Sequence, residues 1–134
     1  MTLVDTNVVL DLVTDDPHWA AWSSIQLQRA AVAGPIAIND IVYAELSVRY
    51  GSIEALDAML SALGTRLEPI PRAGLFLAAK AFRQYRLRGG TRTGVLPDFF
   101  IGAHAAVGDI ALLTRDGRRY RDYFPTVRLI IPAA

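Results

Sequence analysis

LVDTNVVLDL, residues 3–12, decides the fold. An aliphatic pair, Leu3-Val4, runs into the carboxylate of Asp5, and beyond Thr6-Asn7 the apolar residues at 8, 9, 10, 12 and 13 take up helical spacing. This reads as the end of a buried strand passing into a buried helix, with Asn7 a candidate cap. A carboxylate at such a junction is costly unless it caps the helix or meets a positive charge. Both explanations are open at this stage.

Working outward, the same alternation recurs. Asp15-Asp16-Pro17 opens an Ala-rich helical stretch that carries Trp19, Trp22, Ile25 and Leu27 and ends at Gly34-Pro35. Pro35-Ile36-Ala37-Ile38 is a short apolar strand. After Asn39-Asp40, the residues Ile41, Ala44, Glu45 and Val48 fall at i, i+3, i+4 and i+7, one stripe of a helix. Ser52 caps a helix through Ile53, Leu56, Leu60 and Leu63, and residues 66–70 form a third, more exposed strand. Pro71 opens a helix with Leu75, Ala78, Phe82 and Tyr85 on its stripe, which leads into the glycine-rich loop 89–94. Pro97-Asp98 begins an apolar helix over 99–107, followed by a buried strand at 110–113, a turn at 114–117 and a last strand at 127–131. Strands alternating with helices at this spacing predict a single domain over residues 1–134, a three-layer α/β/α architecture around a parallel sheet of four or five strands.

Composition narrows the function classes. The 134 residues are 52% hydrophobic and contain no Cys, which excludes disulfides, thiolate metal sites and thiol nucleophiles. No basic-then-apolar leader precedes Asp5, and no run approaches the ~20 apolar residues of a membrane span, so a soluble cytoplasmic protein is expected. The net charge of +1 hides an asymmetry: residues 1–68 hold nine acids against three bases, and residues 69–134 four acids against eleven bases. Arg72, Lys80, Arg83, Arg86, Arg88 and Arg92 follow one another with no acid between them, a field that attracts a polyanion or simply a solvated helix face.

Four acids stand where a purely structural sequence would place apolar or neutral residues. Asp5 ends the first strand, Glu45 shares its stripe with Ile41, Ala44 and Val48, Asp98 begins an apolar helix, and Asp116 follows the strand at 110–113. In open parallel sheets ligands bind outside the carboxyl ends of the strands, where Asp5 and Asp116 belong. Each acid also has a plainer reading: Asp5 and Asp98 as helix caps, Glu45 as a rim residue, Asp116 as a turn residue in Arg115-Asp116-Gly117. If the four converge, they cannot all stay ionised in a low-dielectric cleft without a shared cation. Only His18 and His104 could add nitrogen, so the set selects a hard ion, Mg²⁺ or Mn²⁺, over Zn²⁺. His104, inside an apolar helix, reads as a packing residue.

Val4-Asp5-Thr6-Asn7, Val42-Tyr43-Ala44-Glu45-Leu46, Pro97-Asp98 before an apolar helix, and Leu113-Thr114-Arg115-Asp116, in this order, resemble the PIN-domain ribonucleases. In length and order the chain is most similar to the VapC toxins of toxin–antitoxin pairs. One departure is Phe99-Phe100-Ile101, where such proteins often carry small or aliphatic residues. The resemblance implies an acidic cluster of Asp5, Glu45, Asp98 and Asp116 that holds Mg²⁺ (or Mn²⁺) and hydrolyses RNA, with Thr6, Asn7 and Thr114 as supporting polar groups. Asp11 and Asp40 are set aside as cap or surface residues. Arg86, Arg88 and Arg92 would grip RNA phosphates outside the cleft, and Arg115 would reach inward. The resemblance also implies a VapB-like antitoxin as partner and a toxin homodimer. Trp19, Trp22 and the stripe of Ile53, Leu56 and Leu60 are either core or a partner groove. Two rivals stand beside this reading. One is a catalytically silent RNA-binding module. The other is a phosphatase or receiver-like domain, against which no Asp-x-Asp follows the first strand and the single Lys, Lys80, lies mid-helix.

Overall fold

Leu3 and Val4 have no exposed surface because the strand they end lies at the centre of the sheet. In the computed structural model, which describes residues 1–133, the chain runs β1 (Thr2–Val4), α1 (Thr6–Val13), α2 (Ala20–Ala33), β2 (Ile36–Ile38), α3 (Asp40–Ser47) and α4 (Ile53–Ala62). It continues through β3 (Thr65–Leu67), α5 (Arg72–Leu87), α6 (Pro97–Gly108), β4 (Ala111–Leu113), α7 (Arg118–Tyr123) and β5 (Leu129–Ile130). The five strands are all parallel, in the order β3-β2-β1-β4-β5. From β1 the chain first builds outward to β2 and β3, then returns to the other side of β1 for β4 and β5. Right-handed crossovers therefore place the first connections over one face and the later ones over the other, which gives the expected three layers.

The strands are short and apolar because they are covered on both sides: every residue of β1, β2 and β4 is buried. Leu56 and Leu60 join the core, whereas Ile53 is exposed, so the α4 stripe is mainly core. α6 is buried almost all round and fits closely against Phe124, since a Cβ added at Gly102 would stand 2.3 Å from that ring. Asn39 caps α3, its Oδ1 accepting the N–H groups of Ile41 and Val42 at 3.1 Å, a contribution of about 1 kcal/mol. Its Nδ2 donates to His104 Nδ1 at 3.2 Å, so the one buried amide also ties α3 to α6. Those two helices carry Glu45 and Asp98.

Three sequence expectations change. The helix α2 begins at Ala20, after the turn opened by Asp16, rather than at Pro17. The third strand ends at Leu67, because Pro69 and Pro71 cannot donate to a ladder and the chain leaves the sheet before them. The helix α7 was not expected at all: of its six residues, RRYRDY, only Tyr120 is buried, so it carries no apolar period.

Candidate active site

β1 and β4 pair through Val4 and Leu113, and the Asp5 N–H donates to the Leu113 carbonyl at 2.9 Å. Asp5 and Thr114 therefore leave the sheet side by side at its carboxyl edge, at the point where the strand order reverses. Asp5 is the cap of α1, its Oδ1 accepting the Thr6 N–H at 2.8 Å. Its Oδ2 accepts from the hydroxyls of Thr114, at 2.8 Å, and Tyr120, at 2.9 Å. Three of roughly four lone-pair directions are thus used, all by neutral donors. With 6% of its surface exposed, the carboxyl is pushed up to about 6 by burial; the Thr114 and Tyr120 hydroxyls oppose the rise and the charge of Asp98 adds to it. Of the two explanations left open by the sequence, the cap is observed: one oxygen caps the helix, and the other is held by Thr114 and Tyr120 with no positive charge bonded to either.

Asp98 is the second residue of α6, and the cap position belongs to Leu96, which makes no side-chain cap. The Asp98 carboxylate instead turns to the cleft, with Oδ1 3.5 Å from the Tyr120 hydroxyl and Oδ2 3.4 Å from Arg119 Nη1. Burial raises its pKa, Arg119 lowers it, and the charge of Asp116 raises it again. Tyr120, 1% exposed, is held well above the ordinary phenol range by burial and by the charges of Asp5, Asp98 and Glu45, so its hydroxyl stays a donor.

Glu45 stays outside this group, near enough for its charge to act on Tyr120. The stripe of Ile41, Ala44, Glu45 and Val48 is not the inward face of α3; Val42 and Leu46 are buried, while Val48 is 87% exposed. A helix of eight residues, packed against α1, α4 and α6, buries only a narrow strip, here displaced from the stripe that spacing suggests. Glu45 is an exposed residue, and its Oε1 accepts the Thr6 hydroxyl at 2.7 Å. Asp116 is also outside, its side chain 61% exposed and its Oδ1 accepting the Arg118 N–H at 3.2 Å, a turn bond that lowers its pKa. Asp98 and Asp116 wall a cavity of about 460 Å³ together with Tyr85, Arg118, Arg119, Asp122 and Tyr123.

Asn7 does not cap α1. Its Oδ1 accepts the Arg115 N–H at 3.1 Å and its Nδ2 donates to Thr114 Oγ1 at 3.3 Å, which latches the turn after β4 to the start of α1. Arg115 does not reach the acids of the cleft. Its Nε lies 2.8 Å from Asp11 Oδ2, which also accepts from Ser23 Oγ at 2.6 Å, and its guanidinium rests over Trp19. Asp11 is 2% exposed, so it is neither a cap nor a surface residue: the partner supplied from beyond β4 is what allows it to be buried. Of the other expected basic residues, Arg86 holds the glycine-rich loop, its Nη1 donating to the carbonyls of Gly90 and Arg92, and Arg88 lies over Tyr123. Sequence reasoning missed Tyr120 and Arg119. The one available signal is a charged run interrupted by aromatics, Tyr120 four residues beyond Asp116 and Tyr123 after it.

Among the described residues, no three His, Cys, Asp or Glu side chains are gathered closely enough to hold a metal ion. The donor set nevertheless fits a hard divalent cation: it is all oxygen, the buried Asp5 and the half-exposed Asp98 repel each other, and no basic group is bonded to Asp5. Asp116 and Glu45 stand on the exposed rim.

A parallel α/β domain with carboxylates at the strand-order reversal defines a class of acidic-cleft domains. The profile described as "PIN domain" matches residues 2–123, and the chain belongs to that family. No curated protein sequence matches it. Among solved structures, it is similar to a chain of VapBC2 from Rickettsia felis bound to a promoter DNA fragment, with 18% identity, 98% of each chain covered and a TM-score of 0.75. It is also similar to a chain of VapBC-1 from nontypeable Haemophilus influenzae, with 16% identity, 97% of this chain and 96% of that one covered, and a TM-score of 0.71. A toxin–antitoxin complex from Klebsiella pneumoniae gives 20% identity, 99% and 98% coverage and a TM-score of 0.67. At these identities the likeness is one of fold.

Proposed function

We propose that the chain is a Mg²⁺- or Mn²⁺-dependent endoribonuclease, the VapC-like toxin of a toxin–antitoxin pair, acting in the cytoplasm on phosphodiester bonds in tRNA or rRNA loops. The observation that carries this reading is Asp5, a buried carboxylate with three neutral donors and no cation, facing a second raised carboxyl, Asp98. Asp5, Asp98, Glu45 and Asp116 would hold the ion. When bound, it supplies Lewis acidity at the phosphate and lowers the pKa of a water, leaving 3′-hydroxyl and 5′-phosphate ends.

The chain's own residues organise the rest. Thr114 and Tyr120 hold Asp5 Oδ2 in one orientation, Thr6 ties Glu45 to the start of α1 beside Asp5, and the Asn7 latch sets the turn that carries Asp116. The exposed Arg86, Arg88 and Arg92 supply positive charge beyond the cavity for an RNA backbone. The similar VapBC and toxin–antitoxin complexes support a VapB-like antitoxin as partner, and a toxin homodimer belongs to the same proposal. Among the described residues no helix is long and apolar enough to cross a membrane.

The wide spacing of the acids favours a second reading, a catalytically silent RNA-binding module of the same fold. Purified protein incubated with total cellular RNA and Mn²⁺ or Mg²⁺ decides between the two. The nuclease reading expects discrete cuts with 5′-phosphate ends, abolished by EDTA and by Asp98→Asn. Folded protein that binds Mn²⁺ and RNA but leaves the RNA intact establishes the silent module.

A further inference from the structure

Of the basic side chains expected to meet RNA, Arg115 is paired with Asp11, and the exposed Arg86 donates to the loop carbonyls and lies outside the cavity lining. Arg119 is different. It lies in the wall of the cavity with Nη1 3.4 Å from Asp98 Oδ2, its side chain 37% exposed and its guanidinium 5.7 Å from the ring centroids of both Tyr85 and Phe99. It thus occupies the position of counter-ion to an inner carboxylate.

We propose that Arg119 is a placeholder cation: it neutralises Asp98 in the metal-free protein and passes to a nucleotide phosphate once Asp98 has turned to a divalent ion. This rests on the metal-dependent reading above and adds a phosphate subsite to it. The contact with Asp98 is part-exposed and made at a long distance, so it is weak and exchangeable. The planar guanidinium matches a phosphate, which Asp98, Asp116 and Asp122 all repel; Arg118, in the same wall, carries the same group but is paired with the exposed Asp116, so Arg119 is the one set against Asp98. Tyr85 and Phe99 form a platform that keeps the guanidinium beside the cavity after it leaves the carboxylate.

Two opposite effects of one substitution follow. Titration calorimetry with Mn²⁺ alone is expected to show several-fold tighter binding for Arg119→Gln than for the unsubstituted protein, because a competitor for Asp98 is gone. Binding of a 5′-phosphorylated diuridylate, a product-type ligand, in saturating Mn²⁺ is expected to weaken about tenfold in Arg119→Gln and to recover in part in Arg119→Lys. In EDTA the three proteins should bind the dinucleotide equally. An Arg119→Gln protein with unaltered or weaker Mn²⁺ binding, or with unaltered dinucleotide binding in Mn²⁺, overturns the proposal alone. Failure of the unsubstituted protein to bind Mn²⁺ overturns the metal-dependent reading together with it.

Discussion

Two carboxylates at opposite ends of the helix α1, Asp5 and Asp11, are both buried and are treated in opposite ways. Asp11 is matched inside the fold: Arg115 lies 2.8 Å away, Ser23 adds a hydroxyl and Trp19 covers the guanidinium. Asp5 receives three hydrogen bonds and no positive charge, and the nearby Asp98 makes its ionisation harder still. A buried charge completed by an internal partner is part of the structure. One left without a partner is a place for a cation to come from outside.

The sharpest way to break this contrast is to take the partner from Asp11. Arg115→Met leaves a 2% exposed carboxylate unpaired and should cost about 3–5 kcal/mol in urea denaturation, with much of it recovered in the Asp11→Leu/Arg115→Met double variant. If the single substitution costs under about 1 kcal/mol, the pair is not what holds Asp11 in place.

Asp5 gives the next effect, through pH. Its folded-state pKa of about 6 lies above the ordinary 3.8, so the folded protein binds the extra proton more tightly than the unfolded chain. The stability linked to that proton is fully present below about pH 4 and lost as pH rises through about 6, a change of about 3 kcal/mol. Denaturation in EDTA across this range should show the decline in the unsubstituted protein and a flatter profile in Asp5→Asn. Parallel profiles would mean that burial does not raise the Asp5 carboxyl.

The smallest effect on stability belongs to Thr6→Val, which frees Glu45 from its 2.7 Å bond. Because Glu45 is exposed, the fold should lose under about 1 kcal/mol. Mn²⁺ affinity, in contrast, should fall roughly tenfold, as for other groups that orient a ligand. Unaltered Mn²⁺ binding would remove Glu45 from the ligand set.

The difference between Asp5 and Asp11 was only half legible in the sequence. Asp5 stands at an abrupt change from strand to helix, where a carboxylate has few plain explanations. Asp11 sits within an ordinary helical pattern, and its partner is 104 residues away, a pairing that no local spacing reveals. The sheet is readable because buried parallel strands are apolar runs, as β2 and β4 are throughout and β1 is after Thr2. The helix α7 was not, since it is held by one buried tyrosine among five polar or aromatic neighbours, and with it went Tyr120 and Arg119. Glu45 lies on the expected helix but on a stripe that faces outward, because a helix of eight residues with two buried side chains offers too little periodicity to orient it.

The most direct measurement is Mn²⁺ binding at pH 7.5 by calorimetry, comparing the unsubstituted protein with Asp5→Asn and Asp11→Asn, each confirmed folded by circular dichroism. The account predicts that the unsubstituted protein and Asp11→Asn bind Mn²⁺ alike and that Asp5→Asn does not bind it. Equal binding by Asp5→Asn, or none by the unsubstituted protein, would contradict it.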